Sequence, residues 1–186
     1  GTLAGDGLVL EALTVAGRAV GQSRHPERAA RALAILGEKS GVGGMLGGQS
    51  VDVEKTGEHL DATTLDFIYR LKTGALLEAA FMMGAALGGA SEAEISCAEQ
   101  IGRAVGLAFQ IQDDILDETA TEAELGKPLH SDEKNQKTTY VSLFGLEAAR
   151  EAVRQQSEAA EQRLREFPGE TETLAALIAY LTDRRF

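Results

Sequence analysis

Ser91 is followed three positions later by Glu94, the pattern of a capping box in which each side chain meets the other residue's backbone amide at a helix start. The helix opened there runs to Glu118. It constrains the fold more than any other segment, because a helix of that length must lie along similar helices to bury its apolar side. No segment shows sustained period-two alternation and β-branched residues are sparse, so the expectation is one all-α domain spanning 1–186. A chain of 186 residues is long enough for a sizeable core.

Other boundaries follow from local chemistry. Pro26 suits the first turn of the helix "PERAARALAILGEKS", and Gly41 is placed to stop it. The stretch "GVGGMLGGQSVDVEKTG" carries no GxxxxGK[ST] phosphate loop, so its glycines predict close helix packing. A long helix opens at Asp61 or Thr63, is interrupted near Thr73-Gly74 and ends at Gly88-Gly89. From Glu118 to Thr139 the chain is polar, a loop long enough to serve as a binding segment. Helical periodicity resumes at Thr139, Pro168-Gly169 punctuates it, and "TETLAALIAYL" forms a last helix. The first segment, "GTLAGDGLVLEALTVAGRAV", is apolar nearly all round and predicts neighbours on several sides. It reads as the middle of a larger domain, with N-terminal helices beyond the given chain.

A net charge of −11 argues against nucleic acid, whose phosphates demand clustered Lys and Arg. No run approaches the ~18 apolar residues of a membrane span, and no signal peptide is visible. The single cysteine, Cys97, excludes an intrachain disulfide and fits a cytoplasmic setting.

The chemistry gathers at "AFQIQDDILDE", where Asp113, Asp114, Asp117 and Glu118 crowd the end of an apolar helix. Carboxylates are disfavoured beside the partly negative helix C-terminus, so a cation is expected there. Asp113 and Asp117 are four apart and share a face, with Gln110 one turn earlier. A solvated acidic run would have a polar approach; here Leu107, Ala108, Phe109 and Ile111 lead in. Oxygen donors without Cys or His suit Mg²⁺, which commonly borrows phosphate oxygens from a substrate. Lys72, in "YRLKTGALL", and Lys127 and Lys137, around the polar loop, are candidate partners for a diphosphate whose charge grows as it leaves.

"GLAFQIQDDILD" followed by "LGKPLHSDEKNQKTTYVSLFGLEAAR" resembles the second aspartate-rich region of the trans-prenyl diphosphate synthases, the family of farnesyl and geranylgeranyl diphosphate synthases. "LAGDGL", "GGQSVD" and "YRLKTGALL" resemble further markers of that family, in the same order. The resemblance implies a bundle of long helices around a central cavity, the isoprenoid synthase fold. It also implies ionisation of an allylic diphosphate assisted by Mg²⁺, then attack by isopentenyl diphosphate. By the same resemblance Asp113 ligates metal, and Asp114 and Asp117 support it through water or hydrogen bonds. Asp113, Lys72 and Lys127 are the catalytic candidates. Lys72, Thr73, Gln110, Lys127 and Lys137 would hold the allylic diphosphate, and Phe109 would border the isopentenyl diphosphate pocket. Gln49 and Asp52 are signature positions to which no chemical role is assigned.

The family's first aspartate-rich motif and its basic residues for isopentenyl diphosphate are absent from these 186 residues, so half a site is expected. The given chain alone is therefore expected to lack turnover. The family's dimers imply a homodimer paired through the first helices. The ending "AYLTDRRF" resembles short-chain enzymes and tilts the product towards farnesyl diphosphate. Two other readings compete: a non-catalytic prenyl-synthase-like subunit or scaffold, which would need neither the DDILD run nor the lysines, and a class I terpene cyclase, which would not consume isopentenyl diphosphate.

Overall fold

The computed structural model describes residues 2–119 and 137–182. All regular structure among them is helical. In chain order the elements are α1 (Thr2–Gln22), α2 (Pro26–Ser40), α3 (Met45–Glu54), α4 (Ala62–Ile68), a π-helical turn (Tyr69–Gly74), α5 (Ala75–Gly88), α6 (Glu92–Thr119), α7 (Tyr140–Phe144), α8 (Leu146–Glu166) and α9 (Glu172–Thr182).

Local chemistry explains most of the boundaries. Pro26 occupies the first turn of α2 and Gly41 caps its end. Asp61 caps α4 by accepting the Thr64 amide at 2.8 Å, and this backbone hydrogen bond holds the Asp61 carboxyl below the usual carboxylate range. At the start of α6 the Glu94 carboxylate accepts the Ser91 amide at 2.6 Å while Ser91 Oγ accepts the Glu94 amide at 3.3 Å, as the capping box requires.

Two boundaries differ from expectation. The chain is not interrupted near Thr73-Gly74; it widens into the π turn and continues helically from α4 into α5. The helix expected from Thr139 onwards is two, because Gly145 sits at φ 83°, a conformation open to glycine that ends α7 and starts α8.

α6 is the central rod. α5 and α8 pack along it, α2 packs on α5, α3 on the π turn, and α1 on α2. Ile101, Val105 and Ile111 of α6 are fully buried, as are Ile35, Leu164 and Ile178 from the helices around it. Each such side chain contributes on the order of 1.5–3 kcal/mol. Backbones touch where α5 crosses α6: a Cβ on Gly102 would lie 2.7 Å from Glu78 Cα. At this crossing the buried Glu78 pairs with Lys39 of α2 and with Arg103 of α6, the latter at 3.0 Å, so one carboxylate ties three helices together.

Apolar surface remains uncovered in two places. Leu3, Leu8 and Leu10 of α1 are 87%, 74% and 65% exposed, so the described residues leave this face of α1 uncovered. A groove of about 670 Å³ between α5, α6 and α9 is lined by Phe81, Ile101, Phe167, Leu174 and Leu177. No helix among the described residues is long and apolar enough to cross a membrane.

Candidate active site

The acidic end of α6 meets the π turn, α3 and the approach to α7 around a cleft of about 90 Å³. Lys72, Thr73, Gln110 and Asp114 line it, together with Asp52 and Lys137. These come from four separate segments, and each is brought in for a physical reason.

α3 delivers Asp52. Its Gly48 is pressed against the π turn so closely that a Cβ there would lie 2.3 Å from the Lys72 amide nitrogen and 2.8 Å from Leu71 Cβ. The glycine-rich stretch therefore does what close packing requires, and its consequence is electrostatic. Asp52 Oδ2 accepts from Lys72 Nζ at 2.5 Å, a pair in which the lysine side chain is 33% exposed and the aspartate 20%. This contact gives Asp52 a structural role that the sequence alone left open.

The π turn and α6 run past each other and are joined by two side-chain bonds one helical turn apart. Thr73 Oγ1 donates to Gln110 Oε1 at 2.8 Å. Four residues earlier on the π turn and four later on α6, the Tyr69 hydroxyl donates to Asp114 Oδ2 at 2.5 Å. The same Asp114 oxygen accepts the Tyr140 amide at 2.8 Å, fastening the start of α7. Thr138 Oγ1 accepts the Leu60 amide at 3.0 Å, so the segment carrying Lys137 is held against the turn before α4. The Thr139–Ser142 capping box then directs the chain into α7.

The three aspartates differ in surroundings. Asp114 and Asp117 are buried, whereas Asp113 is half-buried. Asp114 faces the cleft one turn beyond Gln110, while Asp113 and Asp117 lie outside its lining. Among the described residues no three carboxylate, histidine or cysteine groups converge on one point. Phe109 is half-buried on α6, also outside the cleft lining. Lys127 lies outside the described residues. Tyr69 and Asp52 are among the cleft residues to which sequence reasoning assigned no chemistry. Tyr69's signal was its place three residues before Lys72, and Asp52's was its place in "GGQSVD".

Among the described residues the chain is a helical bundle in which a lysine-bearing turn is set against an acidic helix end. The chain belongs to the polyprenyl synthetase family, whose model matches residues 2–181. It is similar to the farnesyl diphosphate synthase of Geobacillus stearothermophilus, 37% identical over 163 residues that make up 88% of this chain and 55% of that protein. It is also similar to the chloroplastic geranylgeranyl pyrophosphate synthase 11 of Arabidopsis thaliana, 42% identical over 163 residues, covering 86% of this chain and 46% of that one. Among solved structures, the geranyltransferase of Helicobacter pylori complexed with magnesium and isoprenyl diphosphate superposes with a TM-score of 0.76 at 27% identity, over 96% of this chain and 56% of the other. The chain thus spans about half the length of the relatives it matches.

Proposed function

We propose that this chain supplies the second-carboxylate half of a short-chain prenyltransferase that condenses an allylic diphosphate with isopentenyl diphosphate and releases diphosphate. The observation that supports it is the meeting of Lys72, the Thr73–Gln110 pair and Lys137 around one cleft at the acidic end of α6. At about 90 Å³ this cleft is far below the ~300 Å³ or more of a typical small-molecule pocket. It accords with a chain that spans about half of its relatives and holds part of a site.

The donor set fits Mg²⁺. Every acidic donor is a carboxylate oxygen, and Asp113 and Asp117, one turn apart, can serve one cation. Bound there, Mg²⁺ would neutralise charge on a departing diphosphate. Asp113 is assigned the direct contact, with Asp117 supporting it and Asp114 acting through its hydrogen bonds. Lys72, Lys127 and Lys137 hold the allylic diphosphate oxygens, and Thr73 and Gln110 keep the π turn aligned with α6. Phe109 is assigned to the isopentenyl diphosphate side.

Relatives include farnesyl and geranylgeranyl synthases; the chain's ending favours farnesyl diphosphate. The exposed leucines of α1 support a homodimer through that helix. A single cysteine among 186 residues supports a cytoplasmic setting. A scaffold reading draws on the lack of three converging carboxylates among the described residues, but leaves the Lys72 cleft without a purpose.

Calorimetry of the 186-residue chain with inorganic diphosphate, with and without Mg²⁺, tests the core of this reading. Mg²⁺-dependent uptake is expected, and no turnover with geranyl and isopentenyl diphosphates. Uptake indifferent to Mg²⁺ and to Lys72→Ala would sink it.

A further inference from the structure

We propose that Tyr69 is a positioning residue: its hydroxyl, through Asp114, sets the register between the lysine-bearing π turn and the acidic end of α6. The proposal rests on the functional reading above only for what that register serves. Three observations carry it.

First, three chain segments converge on one oxygen. Asp114 Oδ2 takes the Tyr69 hydroxyl at 2.5 Å and the Tyr140 amide at 2.8 Å, so the π turn, α6 and the start of α7 share one acceptor. Tyr69 is 8% exposed and Asp114 4%, which shields the contact from competing water. A hydroxyl bonded to a carboxylate at that length is of the stronger, charge-assisted kind.

Second, the contact is one rung of a pair. Tyr69–Asp114 and Thr73–Gln110 bridge the same two elements one turn apart. Two rungs fix both translation and rotation of the π turn against α6, where one would leave a pivot. Lys72 lies between the rungs on the π turn, and Asp113 lies between them on α6.

Third, Asp114 differs from its neighbours in the acidic run in what it lines. It faces the cleft, while Asp113 and Asp117 lie outside that lining. Its Oδ2 holds protein segments together by accepting from the Tyr69 hydroxyl and the Tyr140 amide.

The test uses Tyr69→Phe, Asp114→Asn and Asp114→Ala in this chain, read by amide hydrogen exchange and by calorimetry with Mg²⁺ and inorganic diphosphate. Phenylalanine keeps the buried ring among Leu65, Ile68 and Ile111, so cooperative melting should persist. Tyr69→Phe should lower exchange protection of the Tyr140 amide about tenfold, leave Val153 and Ala160 in α8 unchanged, and weaken diphosphate affinity about tenfold. Asp114→Asn retains an oxygen acceptor for both donors, so it should recover much of the affinity that Asp114→Ala loses. Equal loss in the Asn and Ala variants would make charge rather than position the role of Asp114 and overturn the proposal. So would unchanged Tyr140 protection in Tyr69→Phe, or uniform loss of protection across α8. So would lost protection with unchanged affinity. Should the parent chain take up no Mg²⁺–diphosphate, the functional reading fails, and the exchange arm still decides the register: selective loss at Tyr140 upholds it, and no loss refutes it.

Discussion

Lys72 and Asp52 form a 2.5 Å ion pair across the interface between the π turn and α3. Both side chains are partly exposed, so the pair itself is worth about 1 kcal/mol or less to stability. Its consequence is orientation, since the lysine is held towards the cleft before any anion arrives. Lys72→Ala should therefore change the unfolding free energy by at most ~1 kcal/mol while weakening Mg²⁺-dependent diphosphate binding about tenfold or more. Chemical denaturation and calorimetry on one preparation separate the two effects. A large stability loss with unchanged binding would make Lys72 a structural residue.

Gly48 offers a test of the packing that creates that pair. Alanine there would put a carbon 2.3 Å from the Lys72 backbone nitrogen, so α3 must move off the π turn. Overpacking against backbone should cost about 1–3 kcal/mol. Gly37→Ala on the exposed side of α2, where nothing lies within 4 Å, should instead stabilise by roughly 0.5–1 kcal/mol through better helix propensity. Opposite shifts in melting temperature for the same substitution are the expected result; parallel shifts would show that the α3 contact gives way easily.

Features whose chemistry is local were legible in the sequence. The Ser91–Glu94 box, the Asp61 cap, Pro26 and the acidic end of α6 each depend on residues within about one turn of each other. The break at Gly145 was not legible, because an isolated glycine in a helical pattern is tolerated at ~1 kcal/mol and only its φ of 83° reveals a stop. The candidate site divided along the same line. Gln110, Thr73 and Lys72 stood out from their motif, but Tyr69–Asp114 joins positions 45 apart and Lys72–Asp52 positions 20 apart, which only tertiary packing brings together.

The Glu78 crossing predicts a pH dependence. Burial pulls the Lys39 ammonium pKa down, but its hydrogen bonds to Glu78 and Glu99 outweigh that and raise it above the ordinary lysine value. A raised lysine pKa means that folding favours the charged form. The stabilisation is complete below the unfolded value near ~10.4 and is lost as pH climbs through the higher folded value. Lys39→Met leaves the buried Glu78 with Arg103 and should cost about 1–3 kcal/mol at pH 7. The gap between parent and variant should stay level from about pH 7 to 9 and shrink above the ordinary lysine range. Urea melts at several pH values measure it, and a gap that narrows on acidifying towards pH 6 would contradict the sign.

α1 presents Leu8 at 74% and Leu10 at 65% exposure, too much apolar surface for a helix with water on that side. The chain should self-associate through it. Leu8→Lys combined with Leu10→Lys should shift sedimentation towards monomer while helical circular dichroism is retained, because these side chains bury little within their own chain. A parent chain that sediments as a monomer at tens of micromolar would rule out this pairing.

The acidic run at the end of α6 should owe its tolerance to a cation, and Asp113 and Glu118 separate that idea from a merely solvated acidic end. Both residues sit in the last two turns, where a carboxylate meets the negative end of the helix dipole. Asp113 is half-buried and four residues before Asp117, while Glu118 is exposed and outside that spacing. Without ligand, Asp113→Ala should alter stability by ~1 kcal/mol or less, since relief of the dipole and like-charge terms offsets lost contacts. With Mg²⁺ and inorganic diphosphate, the parent chain should gain melting temperature as bound ligand stabilises the fold, and Asp113→Ala should lose most of that gain. Glu118→Ala should keep nearly all of it. Equal losses in the two variants, or a sharp fall in ligand-free stability for Asp113→Ala, would mean that the run is structural and that no cation site is built on α6.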